Sequence, residues 1–240
     1  PPRSTLFPYT TLFRSPVDVA ALLRDVLWDA VPGVVATSAT LSVGGDFAFF
    51  QARVGLQEAR HAVFPSPFDH FRQALLGLPT DLPGPDHEAF LDQTARMIVD
   101  AVRGSGGGAF ILCTSFRAVD HYARHLRAAF GADLPILVQG EQARPLLLER
   151  FKELHHAVLV GTDSFWEGVS VKGDGLRLVI LPRLPFRVPT EPLQQARHER
   201  IASTGGDPFR ALTLPQAVLK LRQGYRSEER RVGKECRSRW

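Results

Sequence analysis

The chain has 240 residues, 44% of them hydrophobic and 22% charged, with 29 Lys+Arg against 25 Asp+Glu and a formal net charge of +4. That length holds one good core plus a piece of another domain. No apolar run approaches the roughly 20 residues needed to span a bilayer and no signal peptide is legible; with Cys113 the single cysteine between residues 16 and 225, a disulfide framework, a cysteine-built zinc site and a four-cysteine iron–sulfur cluster are excluded there.

The first and last fifteen residues do not read as protein. The codon CCA for Pro1 reverse-complements to TGG, which is Trp240; TTT for Phe7 gives AAA, Lys234, and TAC for Tyr9 gives GTA, Val232. All fifteen pairs of residue i with residue 241−i can be satisfied in this way. The implied DNA looks like a sequencing adapter ligated to both ends of a fragment and then translated, so 1–15 and 226–240 are expected to be artefacts without a fold. The other reading makes Thr5–Phe13 a strand and Arg226–Arg239 a basic nucleic-acid tail. Residues 16–225 hold 21 basic and 22 acidic residues, net −1, so the positive balance of the whole chain is no argument for nucleic-acid binding. Cys113 is then the single cysteine left, read as a core residue in a reduced, cytoplasmic setting.

In chain order, residues 17–30 carry Val19, Leu22, Leu23, Val26 and Leu27 at helical spacing, ended by Pro32-Gly33. Val34–Leu41 (VVATSATL) reads as a buried strand finishing in the hydroxyls of Thr37, Ser38 and Thr40. A short helix and connector are expected over Phe47–Arg60, and an exposed Pro/Gly-rich loop over Leu78–Asp86. A helix over about 88–103 places Phe90, Leu91, Ala95, Ile98, Val99 and Val102 on one face. Gly104–Gly108 (GSGGG) is a helix-to-strand turn. A phosphate loop would follow a strand and end in Gly-Lys-Ser/Thr, and neither that sequence nor an acidic DEAH box occurs in the chain.

Ala109–Cys113 reads as a strand running into Thr114 and Ser115, with Ser115 placed to cap a helix through Val119, Tyr122, Leu126 and Ala129. A strand at Leu134–Val138, a turn at Gly140, a helix over Ala143–Glu153, strands at Ala157–Val160 and Leu176–Leu181, and a helix over Glu191–Ile201 complete the alternation. It predicts an α/β fold with a mainly parallel sheet flanked by helices. His121 and His125 share a helix face at i,i+4, but no HExxH pattern and no third ligand accompany them, so no metal site is expected.

Gly161–Asp174 (GTDSFWEGVSVKGD), at the carboxyl end of one apolar run and ahead of another, resembles motif V of superfamily 2 helicases in the wording used by the DinG/XPD-like group. Thr37–Leu41 (TSATL) resembles motif III and Cys113–Phe116 (CTSF) motif IV. Ser66–Asp69 (SPFD) is similar to the segment entering the second RecA-like domain, Leu184-Pro-Phe186 to the connector after motif V, and Leu214–Tyr225 to the opening of motif VI. They stand in the family's order.

The resemblance implies a RecA-like (P-loop NTPase-type) fold, with 16–58 the tail of a first lobe and 59–225 a second lobe truncated in motif VI. It implies an ATP-dependent DNA helicase that couples ATP hydrolysis to translocation on single-stranded DNA and duplex unwinding, in DNA repair or replication. ATP and Mg2+ are the implied cofactors, and single-stranded DNA and the missing first lobe the implied partners, with no membrane. Any iron–sulfur cluster would belong to the missing N-terminal part. By the same resemblance, Thr114, Ser115, Thr162 and Ser164 contact the nucleic-acid backbone, while Thr37, Ser38, Thr40, Asp163, Glu167 and Gly168 couple to the nucleotide. Gln223 begins motif VI, whose arginines stabilise γ-phosphate charge in the family and do not follow here, so the chain alone is expected to lack ATPase activity. Trp166 reads as a core anchor or a base-stacking surface, and Ser170 stands where many helicases carry an Asp that holds the ribose. Two other readings stay open: a RecA-like module that grips nucleic acid without hydrolysis, and an unrelated nucleotide-sugar or flavodoxin-like α/β enzyme.

Overall fold

The computed structural model describes residues 16–38, 40–65, 69, 72, 74–162, 165, 171, 175–187 and 191–223. The terminal stretches 1–15 and 226–240 lie outside them. The helices are α1 (Ala20–Leu23), α2 (Ala48–Val54), α3 (Phe90–Ser105), α4 (Phe116–Phe130), α5 (Arg144–Leu154) and α6 (Pro192–Ser203). The strands are β1 (Ala109–Leu112), β2 (Ile136–Val138), β3 (Val158–Gly161) and β4 (Leu178–Ile180). The chain divides into two compact units, one of residues up to Val63 with Arg187–Leu219, the other of Phe64–Phe186 with the residues from Lys220 on.

The second unit is built on a four-stranded sheet in the order β2-β3-β1-β4. All pairings are parallel, with Leu112 opposite Gly161, Ile111 opposite Ile180 and Val138 opposite Val160. Successive strand residues point to opposite faces. Ala109, Ile111, Val158, Val160 and Ile180 therefore pack on α3 and α4 through Ile98, Val102, Val119 and Leu126. Phe110, Leu112, Leu137 and Leu159 turn the other way and pack on Leu147 and Phe151 of α5, with Phe165, Val171 and Leu176. Every residue of β1 and β3 is buried, as a sheet covered on both faces requires. Each fully buried Leu, Ile or Phe contributes about 1.5–3 kcal/mol.

Local chemistry sets the helix ends. Ser115 caps α4 by accepting the Ala118 N–H at 3.3 Å. Pro145 occupies the first turn of α5, where its missing N–H costs nothing. The GSGGG run is the turn from α3 into β1, with Gly106 the left-handed cap. At Gly107 a Cβ would lie 1.9 Å from the His156 carbonyl oxygen, so no larger residue fits. The Arg177 guanidinium donates to the carbonyls of Ser105 at 3.1 Å and Gly106 at 2.9 Å, pinning this turn to the start of β4.

In the first unit α1 passes at Arg24 into a π-helical turn, Arg24–Trp28. Trp28 Nε1 donates to the Val54 carbonyl, and Arg24 to Gly55 O and Gln57 Oε1, which ties the expected first helix to α2. Arg197 of α6 donates to Val17 O at 3.1 Å, and Arg200 pairs with Asp18 at 2.9 Å. Among the described residues of this unit only Ser42, Gly55, Gln194, Leu212 and Ala217 are buried.

Among the described residues, the strand expected at Val34–Leu41 does not form. Residues 33–38 have no regular structure, and Val35 is 87% exposed. A parallel strand exists through the neighbours that hydrogen-bond it, and none of the four strands pairs with this run.

Candidate functional site at the carboxyl edge of the sheet

Because the four strands are parallel, their carboxyl ends open on one edge, where open α/β sheets place ligands. β1 runs out through Cys113 to Thr114 and Ser115, and β3 through Gly161 to Thr162. The Cys113 N–H donates to the Gly161 carbonyl at 2.8 Å, so these two exits lie side by side. Thr114 and Ser115 are exposed, and Thr162 is half-buried.

Thr162 is held by a residue that no motif or spacing singled out. Gln139 follows β2, and its Oε1 accepts both the Thr162 N–H and, at 3.0 Å, the Thr162 hydroxyl. The backbone N–H of Gln139 donates to Val160 O at 2.9 Å, which fixes the brace to β3. An N–H can only donate, so the amide must turn Oε1 toward Thr162 and its NH2 away. The one signal in the sequence is a long amide between the last apolar residue of a strand and Gly140, whose φ of 101° makes the turn.

Gly161 is as small as it is because of what crowds it. A Cβ there would meet Phe165 Cδ2 at 2.6 Å and Gln139 Oε1 at 3.0 Å. Phe165 is 1% exposed and folds back into the core, with the Arg144 guanidinium 5.7 Å from its ring. Phe165, Val171 and Leu176 are buried in the same core cluster. The expected site residues Asp163, Ser164, Glu167 and Gly168, together with Trp166 and Ser170, lie outside the described residues.

Beside the end of β1 is a cavity of about 380 Å³, lined by Thr114, Ser115, Arg117, Tyr122, His87 and Arg183 among others. The structure therefore brings Thr114 and Ser115 together with two arginines to which no role attached in the sequence. Arg183, just past β4, donates to the Pro85 carbonyl and stands 5.0 Å over the Phe90 ring. Burial pushes the Tyr122 hydroxyl up to about 12, and the Cys113 thiol likewise up to about 12. Both stay protonated at neutral pH, so the edge offers hydroxyl donors and fixed positive charge.

The remaining expected residues lie elsewhere. Thr37, Ser38 and Thr40 belong to the first unit, where Ser38 Oγ accepts the Thr40 N–H at 3.2 Å and lies 3.0 Å from Thr40 Oγ1. This is the local turn chemistry of Ser and Thr. Gln223 is the last described residue of a helix over 214–223 and is half-buried.

Residues 98–225 match the family model described as the helicase C-terminal domain. The chain is 41% identical over 214 residues to the ATP-dependent DNA helicase YoaA of Escherichia coli (strain K12), covering 89% of this chain and 33% of that protein. It is 42% identical over 190 residues to YoaA of Haemophilus influenzae, covering 79% of this chain and 29% of the relative. To the 3'-5' exonuclease DinG of Bacillus subtilis (strain 168) it is 34% identical over 223 residues, covering 89% and 24%. The chain spans a third or less of the length of these curated relatives.

Proposed function

The chain belongs to the helicase C-terminal domain family, on its DinG/XPD-like branch, and from that premise we propose that it is part of an ATP-dependent DNA helicase that moves along single-stranded DNA and unwinds duplexes, in repair or replication. The observation that carries the reading is the meeting of Thr114, Ser115 and Thr162 at adjacent strand ends inside the matched residues. In this reading 59–225 is most of the second RecA-like lobe and 16–58 the tail of the first, the rest of which is the partner across the nucleotide cleft.

The chemistry of the edge suits a sugar-phosphate backbone. Ser115 Oγ accepts from Ala118 N–H, which leaves its own proton for a phosphate oxygen. Backbone N–H groups of the first turn of α4 add donors, and Arg117 and Arg183 supply charge. Thr162 already donates to Gln139, so the NH2 of Gln139 is the better donor at that exit. Contacts of this kind position a strand without reading its sequence, as translocation requires.

ATP with Mg2+ supplies phosphoryl-transfer chemistry in the parent, which we place in the cytoplasm with DNA. The described residues contain no phosphate loop and no pair of motif VI arginines, so they do not fit a triphosphate by themselves. No helix among them is long and apolar enough to cross a membrane. The test is fluorescence anisotropy of labelled oligothymidylate titrated with the chain. Saturable binding that weakens as salt is raised is expected, with no ATP turnover. A folded chain that leaves the anisotropy unchanged at low salt would sink the reading.

A further inference from the structure

Helices α3 and α4 pack side by side in the second unit, and their contact gathers three side chains that are far apart in sequence. His121 and His125 stand one turn apart on α4, with ring centroids 4.5 Å apart and planes inclined by 35°. Asp92, in the first turn of α3, brings Oδ1 to 3.0 Å from His121 Nε2. One ligating atom from each residue lies within 4.8 Å of those of the other two. We propose that Asp92, His121 and His125 bind a first-row divalent transition-metal ion, with Zn2+ the best match, clamping α3 to α4.

The donor set is the first reason. Two imidazoles and one carboxylate suit zinc, with water completing the coordination. Ligand distances of about 2.0–2.2 Å set ligating atoms roughly 3–3.5 Å apart, and the Asp92–His121 separation of 3.0 Å is already at that spacing. Closing the third edge asks only for side-chain rotation, since Asp92 is exposed and both histidines are half-buried.

Tautomer and hydrogen bonding are the second. His125 Nδ1 lies 3.0 Å from the His121 carbonyl oxygen, which can only accept, so Nδ1 carries the proton and Nε2 keeps a lone pair. That is how metal-ligating histidines are commonly oriented. His121 Nε2 is buried and stands 3.0 Å from Asp92 Oδ1. A cation held by both the buried ring nitrogen and the carboxylate would satisfy the two groups together. Arg124 is the nearby charge that opposes a dication, and its Nε is engaged by the Asp120 carbonyl.

The test is calorimetric titration of Zn2+ into the chelator-stripped 240-residue chain, paired with thermal melts. One ion per chain is expected, with a melting midpoint that rises with free zinc. His125→Gln and Asp92→Asn should each lower the affinity by at least about 10-fold, whereas His156→Gln, outside the cluster, should bind zinc as the unsubstituted chain does. A chain that takes up no zinc, or variants that bind it as well as the parent, would overturn the proposal. If His125→Gln fails to fold, the exposed Asp92→Asn decides.

Discussion

The side-chain oxygen of Gln139 takes two hydrogen bonds from a single residue, the backbone N–H and the hydroxyl of Thr162. Two exits of the sheet are thereby locked together by one amide. Gln139→Glu separates the two jobs. A carboxylate still accepts both bonds, so the melting midpoint should stay near that of the parent. The lost donor and the added negative charge should weaken binding of oligothymidylate by about 10-fold. Gln139→Leu leaves both Thr162 donors unsatisfied and should cost about 1–3 kcal/mol in urea denaturation. Unchanged DNA affinity in Gln139→Glu would place the strand elsewhere.

Ser115 has a structural duty and a proposed functional one, and two substitutions tell them apart. Ser115→Ala removes the cap of α4 and should cost about 1 kcal/mol. Ser115→Asp restores a good cap at a helix N-terminus, so stability should return. DNA binding should not return, because the carboxylate repels phosphate. If anisotropy recovers together with stability in Ser115→Asp, the residue only caps.

Crowding at the end of β3 gives a third expectation. Gly161→Ala sets a methyl 2.6 Å from the Phe165 ring, which is itself buried and has no room to yield. A loss of about 1–3 kcal/mol is expected from such overpacking, measured by urea denaturation. Gly107→Ala is more severe, since the obstacle is the His156 backbone carbonyl, and no cooperative unfolding transition is expected. A Gly161→Ala chain as stable as the parent would mean that Phe165 is not seated as described.

Alkaline pH should destabilise the second unit through Cys113. Its thiol is pushed from the usual 9.0 up to about 12 by burial, so between those values the folded chain keeps a proton that the unfolded chain gives up. The stabilisation is fully present below pH 9 and is lost as pH rises toward 12, by at most about 1.4 kcal/mol per unit. Tyr122, raised from 10.0 to about 12, acts in the same sense above pH 10. Cys113→Ala should therefore give a flatter stability profile than the parent between pH 9 and 10, read from denaturant midpoints. Parallel profiles in that window would show that the thiol is not desolvated.

Legible in consecutive residues alone were the alternation of apolar strands and amphipathic helices from α3 to β4, the GSGGG turn, the Ser115 cap and the ordered motifs that carry the family resemblance. Burial period and capping are properties of consecutive residues, so they are written locally. Val34–Leu41 marks the limit of that code, because a run with strand composition becomes a strand only where neighbours hydrogen-bond it. The order β2-β3-β1-β4, the Gln139 brace on Thr162, the arginines beside Ser115 and the meeting of Asp92 with His121 and His125 were decided by tertiary structure. Each depends on which residues packing brings within about 3 Å across long stretches of chain, and a side chain's polarity states that it needs a partner without stating which one.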